Sequence, residues 1–590
     1  MRTNEQIENI KNRINRFPFI ISFISVVIVI FDLGFNQTTP IQHVIDKIYL
    51  ATLILGTISP ILKDFFTLHN VGFKVWFFDF ISLLYILTIV LLNLNLLQQV
   101  PSLAPLKNHL FTYFAIFLVF IREFSSQKIN LRKSFFNPAQ LFILSFFFIV
   151  LIGTLLLMLP NSTYHGISAI NALFTSTSAV CVTGLAVVDT GSYFTEFGIT
   201  IIIILIQVGG LGIMTFASYF SYFFTGGSTY KNHLMLSDIT NVDKLGEVFS
   251  TLKKIIVLTF VIETIGAVLI FYSLDDKIIP NLYDRISFSF FHSISGFCNA
   301  GFSTLPNGFY ESGFRFNYYL QLTVAFLIIF GGLGFPIVFN ISKYIKLVFI
   351  KRILSFNKEL RGVHLPWVLN LSSRIILITT LFLIISGTLF FYVLEYNNTL
   401  VEHGFLGKII TSFFCSVTTR TAGFNSVDVG ALRISTLIIF ILLMWIGASP
   451  GSTGGGIKTS TFAIAVLNIV SISKGKTRIE IFRREISDIS VRRSYAIILL
   501  SLITIGISVL LISSFENDKN LLSISFECFS AYSTVGLSVG ITSKLTAASK
   551  LILVLVMFVG RVSMLSILIA IVKREKHKNY RYPTEEVIIN

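Results

Sequence analysis

The strongest constraint on this chain is a short pattern that occurs four times. Thr183-Gly184-Leu185, Ala300-Gly301-Phe302, Ala422-Gly423-Phe424 and Val535-Gly536-Leu537 each set one Gly between a small or β-branched residue and Leu or Phe. The glycines lie 117, 122 and 113 residues apart. Each follows a short segment rich in Ser, Phe and Ile, at 168–180, 286–297, 405–418 and 521–532. Such a segment is too short to cross a bilayer, which takes about 20 apolar residues. Each is flanked by two segments that are long enough. A half-spanning helix, a Gly-containing turn and a return path describe a re-entrant loop, tolerated at membrane depth only inside protein or along a wet cavity. A period of this length, four times over, means one structural unit reused.

Composition agrees. Of 590 residues, 54% are hydrophobic, 60 are Phe and only 13% are charged, which excludes a soluble globular class. The net charge of +16 does not point to nucleic acid. Lys and Arg lie mainly between apolar runs, at 2–16, 122–133, 343–361, 474–493 and 573–581, as expected of loops on the cytoplasmic side. The N-terminus is polar through Arg16 and no small-residue cleavage site follows the first apolar run, so that run is expected to be a retained span. Cys181, Cys298, Cys415 and Cys528 fall in or beside the four short segments. They lack metal-ligand spacing and are expected to be small buried hydrophobes.

The expected architecture is an all-α polytopic membrane protein with about twelve spans. Residues 1–137 form an N-terminal extension of about four helices, at 17–31, 49–66, 75–97 and 110–121. Asp32, Lys63, Asp64, Asp79 and Arg122 lie in or at the edges of these helices, without an arginine ladder, and a structural or anchoring role is expected. Four helix–loop–helix repeats follow, at 138–224, 225–342, 343–470 and 471–575, around a pseudo-fourfold axis, with a tail at 576–590. Outer helices are expected at 138–159, 255–274, 375–394 and 495–515, and inner helices at 198–224, 318–341, 435–472 and 551–572. The charge pattern puts both termini in the cytoplasm and opens the four loops to the outside.

Glycine reaches backbone angles closed to other residues and permits close approach, so successive carbonyls can face an axis and replace the water shell of an ion. The residues expected to line that filter are Val182, Thr183, Gly184, Leu185, Asn299, Ala300, Gly301, Phe302, Thr421, Ala422, Gly423, Phe424, Thr534, Val535, Gly536 and Leu537. The third inner helix is interrupted by Gly447-Ala448-Ser449-Pro450-Gly451-Ser452-Thr453-Gly454-Gly455-Gly456-Ile457-Lys458, which cannot continue a helix. It is not a phosphate loop, because Ile457 separates Gly456 from Lys458 and no strand precedes. A flexible segment at mid-membrane suits a gate. Arg561, expected near the middle of the last inner helix, is a costly intramembrane charge and a functional candidate; Glu263 is read as structural.

These motifs carry a resemblance. From about residue 138 to 575 the chain resembles the Trk/Ktr/HKT superfamily of potassium transporters, in particular the bacterial ion-translocating subunits. The resemblance rests on Cys181-Val-Thr-Gly184-Leu, Asn299-Ala-Gly301-Phe, Arg420-Thr-Ala-Gly423-Phe, Thr534-Val-Gly536-Leu, Ser449-Pro-Gly-Ser-Thr-Gly-Gly-Gly-Ile-Lys458 and Gly560-Arg561. It implies potassium, or potassium and sodium, moving through one pseudo-fourfold subunit, with potassium held at the filter residues. It implies a gating loop built on Gly447, Ser449, Pro450, Gly451, Gly454, Gly455, Gly456 and Lys458, with Arg561 beside it. It further implies a homodimer in the cytoplasmic membrane, among lipid, docked on a cytoplasmic ring of nucleotide-binding regulatory subunits. No cofactor and no nucleic acid are expected. No Gly-x-Gly-x-x-Gly motif is present, so nucleotide sensing would belong to that separate protein. The competing class is an alternating-access carrier, but the best-known twelve-span carriers repeat by halves of six. A membrane-embedded enzyme finds no paired carboxylates, metal-spaced His set or nucleophile elbow.

Overall fold

The structure, a computed structural model, describes residues 2–66, 73–94, 96, 106–125, 138–225, 248–354 and 369–572. The basic tail at 573–581, the rest of the C-terminus and parts of the basic stretches at 122–133 and 343–361 lie outside them. The chain divides into two compact units, one of 1–131 with 159–166 and one of 132–158 with 167–590.

The first unit packs four helices, Arg2–Gly34, Thr39–Phe66, Phe73–Asn93 and His109–Ser125. The first two are longer than expected: the first runs through Pro18 into the polar residues before it, and the second begins at Thr39. Their common core includes Tyr49, Leu53, Ile86, Ile89, Ala115 and Val119. The carboxylate of Asp32 accepts from the hydroxyls of Tyr49 at 3.0 Å and Tyr113 at 2.9 Å. At the other end Lys63 pairs with Glu123 at 2.5 Å, and buried Arg122 donates to the Gly56 carbonyl. These charges meet partners within the bundle, as buried charges do, though Arg122 is held through Nη2 alone.

The second unit is built from the repeated motif. Outer helices are Pro138–Leu157, Val248–Ser273, Leu371–Glu395 and Asp488–Phe515; short helices are Ala169–Val180, Leu282–Cys298, Phe405–Thr421 and Leu521–Tyr532. The first three repeats share one packing device. Ser176, Ser293 and Ser416 on the short helices donate to Val150, Glu263 and Ile384 carbonyls of the outer helices at 2.8, 2.6 and 2.9 Å. Glycine makes the approach possible. A Cβ on Gly153, Gly266 or Gly387 would lie 2.4–2.5 Å from the same serine oxygen.

The inner helices depart from expectation. The first, Glu196–Thr225, is continuous. The second and fourth, expected as straight spans, are each bent: Tyr318–Leu333 meets Phe335–Val348 at 102°, and Ala547–Val562 meets Met564–Ile571 at 85°. The turning residues are Gly334, φ 82°, and Ser563, φ 74°. In the second repeat the cause is legible. Gly332 would normally give its carbonyl to the amide four residues on, but that residue is Pro336. Ser449 N donates to it instead at 3.0 Å, while Phe335 N turns to Gly451 O at 3.1 Å. The third inner helix is broken into Ile434–Trp445 and Thr459–Ser473, as its glycines require. Among the described residues, five helices are long and apolar enough to span, or seven if each bent pair counts as one; several others are shorter apolar helices. Between the third inner and fourth outer helices a two-stranded hairpin, Glu480–Ile481 with Arg484–Glu485, turns through Phe482 and Arg483, both at positive φ.

The serine–glycine device predicts a graded response. Ser416→Ala removes one hydrogen bond and should cost about 1 kcal/mol. Gly387→Leu must displace the short helix and should lower the melting temperature in detergent much further. A Gly387→Leu protein as stable as the parent would show that this contact does not hold the repeat together.

Candidate functional site

The four loops are made by one local rule with one exception. Ser168, Asn281 and Asn520 cap the first, second and fourth short helices through their side chains. Those helices end on a residue in the left-handed region: Val182 at φ 57°, Asn299 at 60° and Thr534 at 51°. For β-branched Val and Thr this is strained backbone. The next amide then bonds back into the helix, Thr183 N to Ser178 O at 2.7 Å, Ala300 N to Ser295 O at 2.7 Å and Val535 N to Ser530 O at 2.9 Å. The third loop has no left-handed residue before its glycine; Gly423 N itself bonds back, to Thr418 O at 3.1 Å.

Four glycines follow, Gly184, Gly301, Gly423 and Gly536, at φ 84°, 69°, 78° and 93°. They close a ring. A Cβ on Gly184 would sit 2.3 Å from Ala300 O, on Gly301 2.2 Å from Ala422 O, on Gly423 2.0 Å from Val535 O, and on Gly536 2.1 Å from Thr183 O. Each repeat therefore touches the next in cyclic order, carbonyl against Cα, and no side chain fits between them. A cavity of about 310 Å³ opens on the returning side of the ring, lined by all four glycines with Asp189, Asp428 and other polar residues. The sixteen residues named from the sequence thus come together, with Val182, Thr183, Ala300, Ala422, Thr534 and Val535 fully or nearly fully buried.

Sequence reasoning missed the ties that hold the loops from behind. His292 Nε2 lies 2.9 Å from Ser303 Oγ, Cys415 Sγ lies 3.5 Å from Ser426 Oγ, and Ser538 Oγ donates to Glu527 at 2.6 Å. His292, Cys415 and Glu527 each stand three residues before Ser295, Thr418 or Ser530, the acceptors of the returning amide. That shared offset was the available signal. All four cysteines are buried free thiols.

On the other face of the ring lies the 447–458 break. Thr453 N reaches Gly331 O of the second repeat at 3.4 Å, and Gly455 N donates to Thr534 Oγ1 of the fourth at 2.9 Å. Gly454 packs on Thr421, where a Cβ would be 2.8 Å from the threonine methyl. Arg561 donates to Thr453 O, and to Gly209 O of the first repeat at 2.7 Å. The segment therefore contacts three repeats directly and the first through Arg561, which lays it across the axis. Arg561 itself is not mid-helix as expected. It occupies the last turn before the bend at Ser563, because that residue leaves the helical region. Lys458 Nζ caps Gly454 O at 2.5 Å, and Arg420 Nη2 reaches Gly447 O at 3.3 Å. Among the described residues none of these three cations forms an ion pair; all are held by backbone carbonyls. Glu263 is buried, accepting from Gln207 at 3.2 Å and Cys298 Sγ at 3.8 Å behind the second loop.

Comparison with known proteins adds a second line. Residues 108–582 match the family described as TrkH, cation transport protein, so the match begins at the fourth N-terminal helix rather than at 138. The chain is 37% identical to Ktr system potassium uptake protein B of Bacillus subtilis, over 77% of this chain and 96% of that one. It is 35% identical to potassium/sodium uptake protein NtpJ of Enterococcus hirae, over 77% and 97%. The crystal structure of the potassium transporter TrkH from Vibrio parahaemolyticus shares the fold, with a TM-score of 0.59 at 16% identity, covering 84% of this chain and 98% of that one.

Proposed function

Because the chain belongs to the Trk/Ktr family of cation transport proteins, which are transporters and not enzymes, we propose that it takes up potassium across the cytoplasmic membrane through the four-glycine ring. The observation that carries this reading is the cyclic packing of Gly184, Gly301, Gly423 and Gly536. With no side chain between repeats, backbone carbonyls are the groups available to line the axis, and carbonyls can replace a cation's water shell. The sixteen loop residues, Val182–Leu185, Asn299–Phe302, Thr421–Phe424 and Thr534–Leu537, form the filter. The cavity beyond them is the outer mouth, and both termini are cytoplasmic. A membrane potential of 100 mV supplies about 2.3 kcal/mol per cation, so uptake requires no coupled ion. The same ring admits sodium to the extent that its carbonyls can close on the smaller ion. Four units around one axis favour a channel-like path over rocking halves.

The break from Gly447 to Lys458 is the gate, with Gly451, Gly454, Gly455 and Gly456 giving the freedom to move. Arg561 holds Thr453 O and places a fixed charge below the filter, opposing a cation's passage at rest. The protein works as a homodimer among lipid, and a cytoplasmic ring subunit that binds nucleotide moves the gate. The basic connector at 474–493, carrying the 480–485 hairpin, is its contact, together with the tail at 573–581.

Gly184→Ser forces its Cβ toward Ala300 O, so it should reshape one quadrant and shift flux in proteoliposomes toward sodium. An unchanged potassium-to-sodium ratio would remove the filter assignment. Arg561→Ala, or shortening the break, should raise potassium flux without the ring subunit and leave the ratio in place; wild-type flux in folded protein would mean the loop is not the gate. Neutralising Lys474, Lys476, Arg478 and Arg483 should weaken co-purification of the ring subunit, and full retention would rule out the connector as its contact.

A further inference from the structure

The third short helix differs from the other three at one position. Two residues beyond the carbonyl that receives the returning amide, the first, second and fourth repeats carry Val180, Phe297 and Tyr532. The third carries Arg420. All four are buried, and Arg420 is only 7% exposed. A guanidinium thus stands where the other repeats place an apolar or aromatic side chain. The same repeat has the broken inner helix and the loop without a left-handed residue before its glycine.

Arg420 meets the start of that break. Its Nη2 donates to Gly447 O at 3.3 Å, while its Nε is buried without a protein partner. Thr380 Oγ1, on the third outer helix, is likewise buried without one. Both residues line one cavity of about 20 Å³, walled by Ile328, Gly332, Val417 and Ala448. A cavity of roughly 10–15 Å³ or more holds a water if it offers at least two polar partners. A donor at Nε and a hydroxyl that can donate or accept meet that requirement. A buried donor or hydroxyl left unpaired is destabilising, so both groups call for a partner.

We propose that Arg420 is a second anchor of the break, holding Gly447 directly and the third outer helix through one buried water shared with Thr380. This rests on the reading of the ring as filter and the break as gate. It adds a connection between them. Thr421, Ala422 and Gly423 follow Arg420 without interruption, so displacement of Gly447 pulls on the end of the third short helix and on the third glycine. Arg561 has no such covalent continuity with a filter loop: it holds Thr453 from an inner helix, and the break meets the filter there only through Gly454 packed on Thr421 and Gly455 N on Thr534 Oγ1. Opening at Gly447 therefore loosens the filter in the third quadrant, and release at Arg561 does not.

The test compares Arg420→Gln, Arg420→Lys and Thr380→Val with Arg561→Ala, measuring unregulated potassium flux and the potassium-to-sodium ratio. Arg420→Gln should raise unregulated flux several-fold and lower the ratio several-fold. Arg420→Lys, which can reach Gly447 O but not the water as well, should fall between it and the parent. Thr380→Val removes only the water's second partner, and should move both readouts the same way by less. It decides the question if Arg420→Gln does not fold. A high-resolution map of the wild type should show a water within hydrogen-bonding distance of Nε and Thr380 Oγ1. The inference is overturned if Arg420→Gln and Thr380→Val keep the wild-type ratio, or if the map shows no such water. Absence of potassium flux in the wild type would instead overturn the proposed function.

Discussion

The second unit depends on one constraint: each of the four ring glycines must have no side chain. Carbonyls of the neighbouring loops stand about where a Cβ would be, at 2.0–2.3 Å around the whole ring. Everything behind the ring keeps that contact closed. The returning amides fix the helix ends, His292, Cys415 and Glu527 tie the second, third and fourth loops back, and Ser176, Ser293 and Ser416 press short helices onto outer ones. Two of the loops also hold β-branched residues in the left-handed region. Such backbone persists only where the surroundings over-determine it.

The departures from fourfold symmetry gather on the opposite face. There the third inner helix opens into a segment that satisfies its backbone with groups borrowed from other repeats. The exchange with the second inner helix is reciprocal. Pro336 leaves Gly332 O without its usual donor, Ser449 N supplies one, and the freed Phe335 N caps Gly451 O. A bend in one helix and a break in another are thus one hydrogen-bonded arrangement. Three cations, Arg420, Lys458 and Arg561, complete it from three directions using carbonyls as partners. The segment's polar groups are thus met largely by partners in other repeats rather than by helical bonds of its own.

Much of this was legible in the sequence. The four glycine patterns gave the ring, because period and residue type both follow from a backbone-lined loop. Five glycines and a proline announced the break. The bend at Gly334 carried a signal in Pro336, two residues on, that a straight span overlooks, whereas Ser563 is neither Gly nor Pro and nothing local announces its bend. Arg561 was found as a charge but misplaced within its helix for the same reason. His292 and Glu527 escaped because each repeat uses a different side chain at that offset. Arg420 was visible only as part of a motif; its oddity appears when the four helix ends are superposed in register.

The account's central claim is that a dehydrated cation sits among the carbonyls of the ring. Crystals soaked in rubidium, with anomalous scattering measured at its absorption edge, test it most directly. The account predicts anomalous density on the axis encircled by Gly184, Gly301, Gly423 and Gly536, displaced by competing potassium. A well-ordered ring with no anomalous density on its axis, and rubidium bound elsewhere in the second unit, would contradict it.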